Sequence, residues 1–319
     1  MYQRIIKILL AFIFIIPLYG FAATKDPLIF SILITRHGDR APFAQIKNHA
    51  YQWGTDLEEL TPLGMHQAYL VGQKLKKFYM KDHTLLQTHY QSNSIYAISS
   101  DTNRTIMTAE SLLQGLYPPG TGPSVNEKPA LAKKVQVIPI RTLSQNSTLL
   151  MPPYPQYLKL LQTDVYPTAK WQEIQKSYQQ DFKTWHNILG NPVNNLQDVM
   201  TIGDVLNVAK AHQKPLPKGL TQNQAQTIIR LRDKALAMQF QSQKFSYIIA
   251  HKLLNQINEN IQKVKTHDQR YKLIYYSGHD LTLLAIMGAL NLPLKQAPDY
   301  ASFIQFPDFD TFECESLIL

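Results

Sequence analysis

Leu28-Ile29-Phe30-Ser31-Ile32-Leu33-Ile34-Thr35-Arg36-His37-Gly38-Asp39-Arg40-Ala41-Pro42 is the stretch that decides the fold. Within Pro27 to Thr35, Leu28 to Ile34 form a near-continuous β-branched and apolar run, which is how a strand buried on both faces reads. The run stops at Arg36-His37-Gly38-Asp39-Arg40. A strand without a polar face that ends in a charged loop predicts a sheet covered by helices on both sides. In such sheets ligands bind beyond the carboxyl ends of the strands.

Working outward, Thr61-Pro62 supplies an N-cap followed by proline at the first helical position. Ala68, Val71, Leu75 and Phe78 then recur at helical spacing. Ser94 to Ile98 reads as a second strand, and a helix follows from about Arg104 to Leu116. Val135 to Ile140 is a third candidate strand. From 141 to 239 the texture turns polar and helical, rich in Gln and Lys, with Trp171 and Trp185 expected in its core. A helix from about Ser246 to Val264 precedes another strand, Tyr271 to Tyr276, which ends in Ser277-Gly278-His279-Asp280; a helix from Leu281 to Leu290 succeeds it. The reading is an α/β class fold: an α/β/α sandwich with a largely parallel central sheet. Its core is discontinuous (23–140 and 240–319) and carries an inserted helical subdomain (141–239).

Composition agrees. The 319 residues are 45% hydrophobic, 17% charged and 10% aromatic, which excludes a disordered tail, a collagen-like repeat and a coiled-coil rod. One cysteine, Cys314, excludes an intramolecular disulfide and a Cys-based metal cluster. A net charge of +9 favours anionic partners; a balance of this size is common in soluble proteins and does not mark a nucleic-acid binder. Residues 1–22 read as an export leader: Arg4 and Lys7, an apolar run from Ile8 to Ile16, Pro17, then Gly20-Phe21-Ala22 with cleavage after Ala22. The run is shorter than the roughly 20 apolar residues a bilayer span needs, so no stable membrane anchor is expected. The destination is periplasmic or secreted.

Three strands thus end at polar clusters: Arg36 to Arg40, Ser100-Asp101-Thr102-Asn103-Arg104, and Gly278-His279-Asp280. Three arginines and two histidines on one rim suit a small, multiply charged anion, because guanidinium forks match phosphate oxygens. A histidine among such cations is held neutral, and a neutral imidazole beside a phosphate is a nucleophile. Asp280 supplies the proton donor for a leaving alcohol.

Arg36-His37-Gly38-Asp39-Arg40-Ala41-Pro42 resembles the RHGxRxP signature of the histidine acid phosphatases. Leu60 to Met65, Ser99 to Thr105 and Ser277 to Asp280 resemble further blocks of that family, in order, from about Leu28 to Phe306. The resemblance implies that His37 becomes phosphohistidine and that Arg36, Arg40, Arg104 and His279 bind the substrate phosphate. It implies too that Asp280 protonates the leaving oxygen and then activates water, with no metal and no cofactor. The activity implied is hydrolysis of small-molecule phosphomonoesters at acid pH. A phytase or sugar phosphatase on the same scaffold is the rival, and an inactive phosphate-ester-binding or host-interaction protein is the non-enzyme alternative. A cytosolic mutase is disfavoured by the leader and by Arg40.

The other histidines, at 49, 66, 83, 89, 186, 212, 251 and 267, have no ligand spacing and are expected to be structural or surface residues. Asp39 is expected to accept hydrogen bonds from loop amides or a neighbouring arginine. Of two glycosylation patterns, Asn103-Arg104-Thr105 reads as accidental, and Asn146-Ser147-Thr148 is the other. Pro307 to Leu319 departs from the family's usual edge strands. An uncovered sheet edge is therefore expected, inviting pairing into a homodimer.

Overall fold

A computed structural model describes residues 27–309 except 55, 145 and 153, together with the backbone of 317–318. The leader expected at 1–22 and Cys314 lie outside the described residues. The elements run β1 (Leu28–Arg36), α1 (Pro62–Lys76), β2 (Ile95–Ser99), α2 (Asn103–Leu116), a hairpin β3 (Ser124–Val125) and β4 (Lys128–Pro129), and β5 (Ile140–Thr142). Helices α3 (Tyr154–Leu160), α4 (Ala169–Ser177), α5 (Gln179–Leu189), α6 (Leu196–Ala211), α7 (Gln222–Met238) and α8 (Gln243–Lys265) follow. The chain then makes β6 (Leu273–Gly278), α9 (Asp280–Ala289), β7 (Phe303–Phe309) and β8 (Leu317–Ile318).

The main sheet has the order β5-β2-β6-β1-β7-β8. β5, β2, β6 and β1 are parallel, and β7 and β8 add antiparallel pairs at one edge. Register places Arg36 opposite Gly278 and Ser99 opposite Ser277. The three polar clusters, far apart in sequence, therefore start side by side on adjacent strand ends.

Alternation along the strands feeds two cores. Leu33, Leu273 and Tyr275 point into one with α1 and α2, through Ala68, Leu75, Ala109 and Leu112. Ile32, Ile34, Ile274 and Tyr276 point into the other, with α8 and α9. Helices α3 to α7 pack into that second core, where Trp171 and Trp185 are both buried. Helix α1 begins as its sequence requires: the Thr61 hydroxyl accepts from the Gly64 N–H, with Pro62 at the first position.

Two expectations need correction. Strand pairing begins only at Ile140, not at Val135, because Pro139 has no N–H to give a ladder and Val137 is 62% exposed with no core to face. The edge beyond β7 is not bare either: Leu317–Ile318 pairs with Ile304 and Gln305.

Helices α1 and α2 touch through glycines. A Cβ on Gly72 would sit 2.0 Å from the Leu112 carbonyl oxygen, and one on Gly115 would sit 2.1 Å from that of Tyr69. Gly115→Ala must therefore push the helices apart and is expected to lower stability by about 1–3 kcal/mol. A urea unfolding midpoint unchanged by the substitution would contradict this packing.

Candidate active site

The loop after β1 is pinned by its backbone. Arg36 N–H donates to the Ser302 carbonyl at 2.8 Å, His37 N–H to that of Gly278 at 3.0 Å, and the His37 carbonyl accepts from Ala301 at 3.1 Å. Gly38 and Gly64 are required by mutual approach. A Cβ on Gly38 would lie 2.3 Å from the Gly64 carbonyl oxygen, and one on Gly64 would lie 2.1 Å from that of Asp39. This is why a glycine follows His37 and another sits in the first turn of α1.

The structure brings all six expected residues to one rim, and Arg36, His37, Arg40 and His279 are fully enclosed. The His37 Nδ1 lies 2.8 Å from the Gly38 carbonyl oxygen. A carbonyl only accepts, so Nδ1 carries the proton and Nε2 keeps its lone pair. The His37 ring stands 5.7 Å from the His279 ring and 5.9 Å from that of Tyr300. Arg36 lies 4.1 Å over the Tyr300 ring, donates through Nη1 to the Pro298 carbonyl, and places Nη2 3.0 Å from Asp280 Oδ2 without alignment for a hydrogen bond. Arg40 grips Asp204 through both Nη groups, at 3.0 and 2.9 Å, with the Phe43 ring 3.6 Å away. Arg104, in the first turn of α2, contacts Glu58 at 3.3 Å. The Nε–H groups of Arg36, Arg40 and Arg104 are buried and have no acceptor among the described residues. Buried charged donors call for an acceptor, and a tetrahedral oxyanion offers several.

His279 caps α9, its Nε2 2.8 Å from the Ser100 hydroxyl, and Asp280 opens that helix at 16% exposure. Burial, with Arg36, His279, Arg40 and Arg104 around it, pushes the His37 imidazole well below its ordinary value, so it stays neutral in acid. Burial and then Arg104 bring His279 down to about 3. Burial alone would raise the Asp280 carboxyl. Arg36, with His37, Arg232 and Arg40, outweighs it and holds Asp280 below the usual carboxylate range. Among the described residues no group of three or more His, Cys, Asp or Glu is placed to hold a metal ion.

Two clefts meet here. One of about 510 Å³ is lined by Ser100, Asp101, Leu143, Tyr154 and His279. The other, about 370 Å³, is lined by Phe43, Tyr154, Tyr157, Met200, Arg232 and Asp280.

Asp204, Arg232, Tyr300 and His212 were not expected at the site. Asp204 sits inside Thr201-Ile202-Gly203-Asp204-Val205-Leu206; a lone carboxylate in an apolar helical run is the signal that could have marked a buried charge. His212, grouped with the structural and surface histidines, has its Nε2 2.6 Å from Asp39 Oδ2. The Asp39 carboxylate accepts from the Thr61 hydroxyl and lies against His212 Nε2, while the loop amide of Thr61 goes to the Asp39 backbone carbonyl; among the described residues the carboxylate meets no arginine.

The sequence pattern of the histidine phosphatase superfamily (branch 2) matches residues 27–309. Human lysosomal acid phosphatase is 31% identical over 289 residues, and human testicular acid phosphatase 28% over 306 residues. The matches cover 86% and 89% of this chain. The chain spans 66% of the lysosomal protein's length and 68% of the testicular one's. Among solved structures, the phytase from Citrobacter braakii superposes with a TM-score of 0.64 at 17% identity, covering 88% of this chain and 81% of that one. The multiple inositol polyphosphate phosphatase of Bifidobacterium longum superposes at 0.57 and 10% identity, covering 94% and 87%. At these identities the structures establish the fold.

The two depressed imidazoles fix a pH dependence. Unfolded, His37 and His279 regain a value near 6.5. Below that pH the unfolded chain takes up protons that the folded site refuses. Their contribution to stability is full above about pH 6.5 and is lost as pH falls below it, for His279 down toward about 3, on the order of 1 kcal/mol per pH unit for an imidazole that stays neutral. The depressed Asp280 acts in the same direction below its ordinary value. The thermal midpoint of phosphate-free protein is expected to drop between pH 6.5 and 4, and His279→Asn is expected to flatten the decline. A slope that the substitution leaves untouched would contradict the assignment.

Proposed function

The chain belongs to the histidine phosphatase superfamily (branch 2), and on that premise we propose that it is an acid phosphatase hydrolysing small-molecule phosphomonoesters through a phosphohistidine on His37. One observation carries the reading: a buried, neutral imidazole whose Nε2 keeps its lone pair, ringed by three guanidinium groups whose Nε–H donors have no acceptor among the described residues.

The chemistry follows from the residues. The phosphoryl oxygens take the free donors of Arg36, Arg40 and Arg104, with His279 beside them, which positions phosphorus and stabilises its equatorial oxygens. The Nε2 lone pair forms the N–P bond as the ester P–O bond breaks. The departing oxygen takes its proton from Asp280. The Nδ1–H bond to the Gly38 carbonyl holds the tautomer and supports the positive charge that develops on the ring. Water then attacks phosphorus, Asp280 as carboxylate takes its proton, and the N–P bond breaks to restore His37. The arginines keep Asp280 ionised in the empty site; a bound phosphate dianion raises it again, so acid pH satisfies both requirements.

The cleft beside Asp280 favours simple monoesters over an inositol polyphosphate. Its lining is largely apolar and aromatic, and the one cation among the described residues that line it, Arg232, is already paired with Asp204 and Asp233. We read segment 141–239 as the cap that shapes this cleft over the discontinuous core. Export fits the leader at 1–22, and among the described residues no helix is long and apolar enough to cross a membrane.

Purified protein is expected to release nitrophenol from nitrophenyl phosphate at acid pH and in the presence of a chelator, with inositol hexakisphosphate a poor substrate. His37→Ala should abolish turnover while leaving the thermal midpoint within a few degrees, because the residue is in a loop. An inactive wild-type protein would sink the reading. In Asp280→Asn, single-turnover phosphorylation by an alkyl phosphate should slow by about 10²–10⁴-fold. Nitrophenyl phosphate, with a weakly basic leaving group, should lose far less. Equal losses would show that Asp280 is not the acid.

A further inference from the structure

Helix α6 reaches the motif loop at two consecutive residues. Asp204, 1% exposed, takes both Nη groups of Arg40 and accepts the Phe43 backbone N–H at 3.0 Å. Its Oδ1 lies 3.4 Å from Nη2 of Arg232, whose Nη1 is bound to Asp233. Two turns further on, His212 caps the same helix and meets Asp39, which is itself fully buried.

Neither contact is explained by anion binding or by stability. A carboxylate beside an anion site repels the anion, and a buried ion pair is often no better for stability than an apolar replacement. What a two-point grip on a guanidinium supplies is orientation. With Nη1 also bound to the Ala41 carbonyl, every nitrogen of Arg40 but Nε has a partner among the described residues, and the open edge of the fork is the one carrying Nε–H. We infer that Asp204 is a positioning residue for phosphoryl transfer, fixing the Arg40 fork so that Nε–H meets the transferring phosphoryl group, while His212 holds the adjacent Asp39 from the same helix. The inference rests on the hydrolytic reading above. Without Asp204 the fork can swing both Nη groups onto a phosphate dianion. That keeps ground-state affinity and loses the fixed geometry the transition state needs.

Asp204→Asn keeps the shape and removes the charge. Its kcat with nitrophenyl phosphate is expected to fall about 100-fold, the scale of a misplaced catalytic group. KM and the inhibition constant for inorganic phosphate should not rise. A residue that matters only for folding would lower the thermal midpoint and the fraction of active protein, with kcat per active site unchanged; that result overturns the inference. In a double-mutant cycle, R40Q/D204N should lie within about twofold of R40Q alone, and multiplied losses would contradict action through Arg40. Should D204N fail to fold, H212Q carries the test, since His212 is 20% exposed: a lowered kcat at constant KM supports the inference and an unchanged kcat overturns it. A wild-type protein that hydrolyses no phosphomonoester contradicts the hydrolytic reading instead. The positioning is then read from the Arg40 Nε–Hε magnetic resonance signal, slowly exchanging in wild type and lost in D204N; its persistence in the variant overturns the inference.

Discussion

Three guanidinium groups and two imidazoles are held together at the ends of β1, β2 and β6, mostly out of water, and the compensation of that charge organises the rest of the molecule. Each buried cation needs a carboxylate or carbonyl, and each is given one: Asp280 and Pro298 for Arg36, Asp204 for Arg40, Glu58 for Arg104. The partners leave one edge of each of these guanidiniums, its Nε–H, without an acceptor among the described residues. The two imidazoles accept the same field by remaining neutral. A site built this way is electrostatically strained when empty and relieved by an anion.

The sheet makes this crowding affordable. Parallel register between β1 and β6, and between β2 and β6, sets all three loops on one rim. Reciprocal glycine contacts at Gly38 and Gly64 bring the start of α1 against the first loop. The phytase from Citrobacter braakii shares this fold.

Much of the frame was legible because its signals are local. The apolar run of β1, the cap at Thr61-Pro62 and the polar clusters after each strand are all read within a few residues, and the six candidate residues that the structure brings to one rim follow from them. The false strand start at Val135 shows the limit: β-branched residues propose a strand, and Pro139 and the lack of a facing core decide against it. Asp204, Arg232, His212 and Tyr300 stayed hidden for a different reason. Their partners at the site lie many residues away in sequence, although Arg232 also holds the adjacent Asp233, and a lone Asp or His in a helix gives no periodicity that names its contact. Tertiary charge pairing is invisible to a reading built on neighbours.

The central claim is that His37 Nε2 carries the phosphoryl group between the two half-reactions. It is tested most directly by quenching Asp280→Asn enzyme during turnover of radiolabelled nitrophenyl phosphate into alkaline detergent and mapping the bound label, because that substitution removes the base that activates water. The account predicts label on the peptide containing His37, stable in alkali, lost in acid, and absent from the H37A/D280N double variant. Label on any other residue, or turnover with no label bound, would contradict it.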